Sequence, residues 1–576
     1  MNTFHRLDSK FDGKLRHYRV EKTKATLRGQ EVTFTEGIAY IDALFDLEIF
    51  DHLHQPNIIG IERRRSDGQE VYILFEVLNA RPMHYEMPSL TPEVPPVLKW
   101  EYLENIRESW HKGGENWMEI VCVHTGYIMM EIDGKPVFEK SNLSPLIGSK
   151  AHIMSSDVIE EMVCIKDQIH STEIGKLIGY QIPLSIDIYS LYKYHTGVFG
   201  FTGSGKSNLI SFLIRKTLEK VSDIKIVILD ISGEYTVHLL DKLAENGGTV
   251  YTPEPIDIEK FAETQVIPET LLEFEDRIRD IIRSKVRLEH ITLESGSLTI
   301  RDLLNSLRDE GERYPYVKIA HTRLRKILRD IDLDQDFIGF MRNEDNNEIS
   351  GKVREVLLSI MGSISNRSTL YRTLEAILGE VETVGEEITE EEALKDIIRN
   401  IVLDPSADSI SIFYIPEPIQ ARKASTILIE EAFNIKKRRA MGNKILFIID
   451  EAQEFIPDRQ KAEDLTLYSN LSVEKLLRQG RKYYMGGWIA TQRIAHLNTN
   501  VLQQLHSYFI STLPRSYDRN VVADAFSISR SVVDKVTELD TGQWLFVSYK
   551  ATRLKNIPIE IVTPNNEEYI ISYLSG

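Results

Sequence analysis

Three groups of side chains in this chain have the types and spacing to bind and cleave a triphosphate. The first is Gly200-Phe201-Thr202-Gly203-Ser204-Gly205-Lys206-Ser207, which fits the phosphate loop G-x-x-x-x-G-K-[ST]. A triphosphate is a dense negative charge, so its cradle needs backbone N–H donors, a cation and a metal ligand together. Gly200, Gly203 and Gly205 let the backbone curl around the β-phosphate without Cβ clashes. Lys206 is expected to reach the β/γ-phosphates and Ser207 to hold Mg²⁺, with Ser204 and Asn208 completing the ATP-binding set. The second group is Asp450-Glu451, two carboxylates closing the apolar run Ile445 to Ile449. Asp450 suits the metal and Glu451 suits an attacking water. The third is Gln492 with Arg478 and Arg481. Gln492 reads either as a γ-phosphate sensor or as a strand-end amide meeting a loop backbone. Arg478 and Arg481 read either as cations for a developing phosphoryl charge, from the same chain or a neighbour, or as a solvated basic helix end.

These residues need a particular scaffold. Thr196 to Phe199 reads as a short buried strand and Asn208 to Glu219 as an amphipathic helix, so the loop puts phosphate at a helix N-terminus. Lys225 to Asp230, Ile410 to Ile415, Lys444 to Asp450 and Gly487 to Thr491 are continuous apolar runs, as buried parallel strands are. Together they predict an α/β fold: a doubly wound parallel sheet whose site gathers at the carboxyl ends of its strands. Residues 255–400 are charged, with apolar residues at helical spacing in Leu271 to Lys285, Ile300 to Arg308 and Val353 to Ile364. They predict a helical insertion between the second and third core strands. Before the sheet, residues 1–180 carry short β-rich runs such as Val71 to Val77, Met118 to Val123 and Tyr127 to Ile132. Ser66-Asp67-Gly68 and Asp133-Gly134 are turn signals between them. A small N-terminal β-barrel or sandwich is expected. The expected divisions are 1–180, 181–254 and 401–550 for the two parts of the ATPase core, 255–400 for the insertion, and 551–576 for a tail. Pro88 to Pro96 reads as a surface loop, and the acidic stretch Glu380 to Glu392 as a solvated face or a partner-binding patch.

Composition narrows the class. The chain has 576 residues, 42% hydrophobic and 27% charged, which is ordinary for a soluble multidomain protein. It has no apolar run of membrane-spanning length, and Met1 to Arg6 has no apolar signal region, so a cytoplasmic protein is expected. Cys122 and Cys164 are the only cysteines and form no metal-binding pattern. A net charge of −18 argues against a nucleic-acid-coated surface, but not against a local basic channel. Lys436-Lys437-Arg438-Arg439, Arg515 and Arg519 are candidates for such a channel, or solvated helix ends.

Several motifs converge on one family. Leu191 to Gly197 leading into the phosphate loop, Asp230-Ile231-Ser232-Gly233-Glu234-Tyr235, Asp450-Glu451-Ala452-Gln453, Arg478-Gln479-Gly480-Arg481-Lys482 and Ala490-Thr491-Gln492-Arg493 together resemble the HerA family. This is a branch of the FtsK/HerA-type RecA-like motor ATPases. The resemblance implies a HAS-barrel-type first domain and a homohexameric ring that moves double-stranded DNA through its pore. It also implies a partner nuclease on the barrel side. By resemblance Lys206, Glu451, Gln492, Arg478 and Arg481 are catalytic, Ser207 and Asp450 hold the metal, and the residues after Pro558 brace a neighbouring subunit; from the residues alone the strand-like Ile559 to Val562 reads equally as a last strand of the core. Bacterial members of the family occur in anti-phage systems with effectors such as sirtuin-like NADases or nucleases. An alternative function is therefore an ATP-regulated scaffold for such an effector. One position departs from the family pattern: Lys193-Tyr194 stands where relatives often carry an arginine before the residue matching His195. A lysine lacks the planar fork of an arginine.

Overall fold

The computed structural model describes residues 2–576 apart from 28, 88–93, 113–115, 167, 254–256, 292–298, 312–313, 330, 334, 336, 344–345, 364–373, 375–377, 379–390, 440–441 and 462–463. Most of the proline-rich connection and of the acidic stretch thus lies outside the described residues.

The first part of the chain is built from β1 (Gly13–Leu27), β2 (Gln30–Leu44), β3 (Ile58–Arg64), β4 (Glu70–His84), β5 (Asn116–Ile132), β6 (Lys135–Lys140) and β7 (Lys150–Ile153). Their order is β2-β1-β7-β3-β4-β5-β6, and β2 also pairs with β5 from Ile38–Val123 to Leu44–Trp117. That pairing joins β1, β2, β5, β4, β3 and β7 into a closed ring, which leaves few free edges. The runs Met118–Val123 and Tyr127–Ile132 are one strand, β5, passing through Gly126 at φ 84°. Ile41, Ile59, Ile73, Phe75, Ile120 and Ile128 fill the ring's own core.

The second part is one sheet of 12 strands. It comprises β8 (Ser171–Leu177), β9 (Pro183–Asp187), β10 (Thr196–Phe199), β11 (Ile224–Asp230), β12 (Thr249–Thr252), β13 (Arg287–His290), β14 (Ile410–Tyr414), β15 (Lys444–Ile449), β16 (Met485–Thr491), β17 (Ser507–Ile510), β18 (Gln543–Ser548) and β19 (Ile559–Val562). The order is β13-β12-β14-β11-β15-β16-β10-β17-β18-β19-β8-β9. Strands β13 through β17 in that order pair in parallel, and the remaining pairings are antiparallel. The central strands are buried along their whole length, which is why they read as unbroken apolar runs. The hairpin β1–β2 lays Leu27, Phe34 and Ile38 into the same core as Phe199, Ile449 and Ile489.

The structure divides the chain differently from four sequence boundaries. Strand β8, inside 1–180, belongs to the ATPase sheet. Between β11 and β14 lie two further parallel strands, β12 and β13, so the insertion does not begin at 255. The helix Glu275–Lys285 buries only Ile278 and Ile282, one turn apart, and packs them into the main core. A separate helical core holds Ile300, Leu307, Leu324, Phe337, Val353, Leu357 and Leu374. The helix Glu391–Leu403 returns to the main sheet through Leu394, Ile398 and Val402. Finally, 551–576 is no free tail: β19 lies between β18 and β8, and Ile570 and Leu574 of the helix Glu567–Ser575 are fully buried. Among the described residues no helix is long and apolar enough to cross a membrane.

Candidate functional site

The phosphate loop leaves β10 and enters the helix Lys206–Lys220. Gly203 and Gly205 hold φ of 81° and 90°, a region where a Cβ would be strained. A Cβ on Gly200 would meet the Ser204 Oγ at 2.5 Å, so the first glycine is needed for close packing. Lys206 is buried, and its Nζ donates to the Gly200 and Phe201 carbonyls at 3.2 and 3.3 Å. Those are weak neutral acceptors, which a phosphate oxygen would replace with a charged one.

Opposite the loop stands a wall of carboxylates from two neighbouring strands. Asp230 ends β11 and Asp450 follows β15, and both are buried. Burial, then the charges of Glu451, Asp230 and Glu234, push the Asp450 carboxyl up to about 8. Burial lifts Asp230 to about 6, against the pull of the Gly233 and Tyr235 N–H groups that donate to it at 2.8 and 3.2 Å. The Ser207 hydroxyl donates to Glu234. This donor set fits Mg²⁺, which takes one or two protein oxygens and fills the rest of its shell with phosphate and water. Ser207 and Asp450 would hold it, and its charge would relieve the crowding that keeps Asp450 protonated.

That crowding has a measurable consequence. A carboxyl raised in the fold keeps a proton that the unfolded chain has already lost. Its contribution to stability is complete below the ordinary carboxylate range and is lost as pH rises through the folded value. The melting temperature of the nucleotide-free protein should therefore fall from the ordinary carboxylate range up to about pH 8, with Asp230 adding to the slope only below about pH 6. Asp450→Asn should flatten that slope and raise the melting temperature at the alkaline end. A pH series of thermal melts checks this, and equal slopes in both proteins would refute it.

Glu451 sits at φ 45°, which turns its side chain away from the strand line and toward the loop. Its Oε1 accepts from Gln492 Nε2 at 2.6 Å, and Gln492 Oε1 in turn accepts from the Thr202 hydroxyl. Gln492 thus bridges Glu451 and the phosphate loop rather than merely closing its own strand.

The remaining wall comes from the far end of the chain. A cleft of about 520 Å³ is lined by Lys206, Ser207, Asn208, Glu234, Asp450, Glu451 and Gln492 on one side, and by Thr541, Gly542 and Val562 to Asn565 on another. Asn208 donates to Asn565 Oδ1 at 2.5 Å and accepts from the Asn566 N–H at 2.9 Å. Val266 and Val562, 49% and 42% exposed, both face this cleft together with Pro268 and Pro564. Apolar side chains exposed on a concave wall suit the flat face of a nucleobase. Glu234, Thr541 and the 562–567 segment were not among the sequence candidates. Only Glu234 had a signal, its place in the Asp230 to Tyr235 motif.

Arg478 and Arg481 lie elsewhere. They precede β16 whereas Gln492 follows it, and the 7 residues of β16 span about 23 Å at about 3.3 Å each. Neither lines the cleft of its own chain. Arg478 pairs with Glu474 at 3.1 Å. Arg481 sits over the Tyr194 ring at 5.5 Å, with Lys193 and Lys550 at 5.7 and 5.6 Å from the same ring. His195 is a strut: it is buried at φ 61°, its Nδ1 accepts from the Gly487 N–H at 3.0 Å, and burial holds it neutral, down to about 3. Two channel candidates are structural. Lys436 is buried and caps the Asn443 carbonyl, and Arg519 binds Asp534 at 2.7 Å and the Leu513 carbonyl at 2.8 Å. Lys437, Arg438 and Arg515 are exposed.

Residues 172–428 match the profile of the family described as "Helicase HerA, central domain". The DNA double-strand break repair helicase HerA of Sulfolobus acidocaldarius is 22% identical over 432 residues, covering 73% of this chain and 74% of the relative. That of Pyrococcus furiosus is 22% identical over 466 residues, covering 77% and 78%. The solved structure of VirB4 of Thermoanaerobacter pseudethanolicus aligns at 14% identity and a TM-score of 0.41, covering 70% of this chain and 98% of that one.

Proposed function

This chain belongs to the HerA family of P-loop ATPases, and from that premise we propose that it is a ring-forming motor that hydrolyses ATP to translocate or unwind double-stranded DNA. The single observation that carries the reading is the convergence at one cleft of Lys206, Ser207, Asp450, Glu451 and Gln492 from three adjacent strand ends. Ser207 and Asp450 would hold Mg²⁺ with the nucleotide, where it would supply charge neutralisation for the phosphates. Lys206 leaves the loop carbonyls for phosphate, Glu451 orients and deprotonates the attacking water, and Gln492 reports the γ-phosphate to the phosphate loop through Thr202. Among the described residues lining the same-chain cleft, Lys206 is the one permanent cation and no arginine is present. In a hexamer Arg481, Arg478 or the Lys193–Tyr194–Lys550 group of a neighbouring subunit supplies a further cation for the transition state.

The test is ATP turnover with and without duplex DNA. Stimulation by DNA that declines steeply with salt is expected, as is a hexamer by mass. A monomer with no DNA response would overturn the reading. Trans action has its own signature. Arg481→Ala and Lys206→Ala should each be inactive alone, while mixed rings recover partial turnover because some interfaces then combine an intact Lys206 with an intact Arg481. No recovery on mixing would refute action across the interface.

A second reading draws on the barrel. Val97 and Trp100, on the helix Pro96–Lys112, are 77% and 72% exposed. Such a surface suits a bound effector, a nuclease or a sirtuin-like NADase, in phage defence or DNA end processing in the cytoplasm. In that case the ring is an ATP-regulated scaffold and DNA motion is secondary. Lys206→Ala would then abolish effector activity while the complex still forms, and an effector fully active without this chain would exclude the reading.

A further inference from the structure

Glu451 is held by two amides, and only one of them belongs to the nucleotide cleft. Gln492 lines the cleft; Gln453 does not. Gln453 Nε2 donates to Glu451 Oε2 at 2.5 Å, so both carboxylate oxygens are engaged, one by each glutamine. Gln453 is aimed in turn: its Oε1 accepts from the Thr491 hydroxyl at 2.6 Å. Thr491 is fully buried, and its oxygen also accepts from the Arg493 N–H at 2.9 Å. The threonine hydroxyl therefore has its lone pair and its proton assigned by neighbours. It gives its proton to Gln453 Oε1, and the Glu451 carboxylate, which only accepts, takes the amide nitrogen; together they set the amide's orientation. A flipped amide would set its oxygen against the carboxylate.

We infer that Gln453, aimed by Thr491, is a positioning residue that holds the Glu451 carboxylate in the orientation needed for in-line attack on the γ-phosphate. The inference rests on the ATPase reading above. When nucleotide enters, Gln492 is the partner free to turn toward phosphate, because its other contact is the Thr202 hydroxyl of the phosphate loop. Gln453 then remains as the fixed anchor of Glu451. The arrangement also couples two strand ends, since Gln453 follows β15 and Thr491 ends β16. A shift of β16 relative to β15 would move the carboxylate directly.

The experiment is steady-state ATPase kinetics on the full chain, with fluorescent-ATP binding measured alongside. Gln453→Leu should lower kcat by about 10- to 100-fold, the scale of an approximately ångström misplacement of a catalytic group, with KM and nucleotide affinity within about threefold of wild type. Thr491→Val should do the same, Thr491→Ser should recover most of the loss, and the double variant Gln453→Leu/Thr491→Val should be no slower than Gln453→Leu alone. Gln453→Glu, nearly isosteric, sets a like charge against Glu451 and should move the acid limb of the pH–rate profile to higher pH. Unchanged kcat in Gln453→Leu, additive losses in the double variant, or an unmoved acid limb in Gln453→Glu would overturn the inference. A wild-type chain that hydrolyses ATP no faster than Lys206→Ala would instead remove the ATPase reading, and this inference with it.

Discussion

Glu451→Gln should lower kcat for ATP by about 10²- to 10⁴-fold while leaving nucleotide binding nearly intact. The substitution keeps size and polarity but removes the carboxylate proposed to take the proton of the attacking water. It also reverses one contact. In wild type both carboxylate oxygens accept, from Gln492 at 2.6 Å and Gln453 at 2.5 Å. An amide can accept from only one of those donors, so its NH₂ faces a second NH₂ and the clamp opens on one side. The phosphate loop is untouched: it runs from β10 into the helix that begins at Lys206, whereas residue 451 follows β15. The expected signature is therefore a fall in kcat at nearly constant KM, with ATP retained in a long-lived complex. Single-turnover hydrolysis and fluorescent-ATP binding separate the two effects. Turnover within a few-fold of wild type would remove Glu451 from the chemistry and point to Glu234, the carboxylate that accepts from the Ser207 hydroxyl.

What could be read in advance was what is local. A phosphate loop, a buried strand ending in two carboxylates and a strand ending in Thr491-Gln492 each fall within ten residues, and hydrophobic runs force them side by side in one parallel sheet. What could not be read was long-range or polar. Asn208 and Asn565 meet across 357 residues, and asparagines carry no periodic signal. Strand β13 is Arg-Leu-Glu-His at a sheet edge, where charge is favoured, so it does not resemble the apolar runs beside it. Lys436 looked like one of four equal cations. Its ammonium turns inward because the Asn443 carbonyl, buried at the start of β15, needs a donor. The two arginines were recognisable as functional types, but their end of the sheet was not, because the sign of the strand direction relative to a basic turn appears only once β16 is placed.

Asp241→Asn should destabilise the protein by about 3–5 kcal/mol and loosen the nucleotide cleft, although Asp241 lies outside it. Arg215, from the middle of the phosphate-loop helix, is 2% exposed. Its NH1 and NH2 donate to the two Asp241 oxygens at 2.6 Å each, its NH2 to the His238 carbonyl at 3.1 Å, and its Nε to Asn566 at 2.6 Å. Asn566 is itself fully buried and donates to the same His238 carbonyl at 2.9 Å. The guanidinium is thus the rivet between the phosphate-loop helix, the segment after β11 and the last helix. Neutralising Asp241 leaves a buried cation without its counter-charge, and the cheapest relief is to let water in. The side that can yield is the last one, since Asn565 and Asn566 lie in the short link between β19 and the last helix, tied to the rest by side-chain hydrogen bonds to Asn208, Arg215 and His238. Residues 562–567 would then swing off the cleft, and ATP affinity should fall with stability. Replacing both partners, Arg215→Met with Asp241→Leu, should cost less stability than Asp241→Asn alone, because no charge is then orphaned. It should still weaken ATP, because Asn566 loses its donor. Thermal melts, proteolysis near residue 565 and fluorescent-ATP titration read the three effects. A double variant less stable than the single one would mean that the pair contributes by packing and not by charge balance.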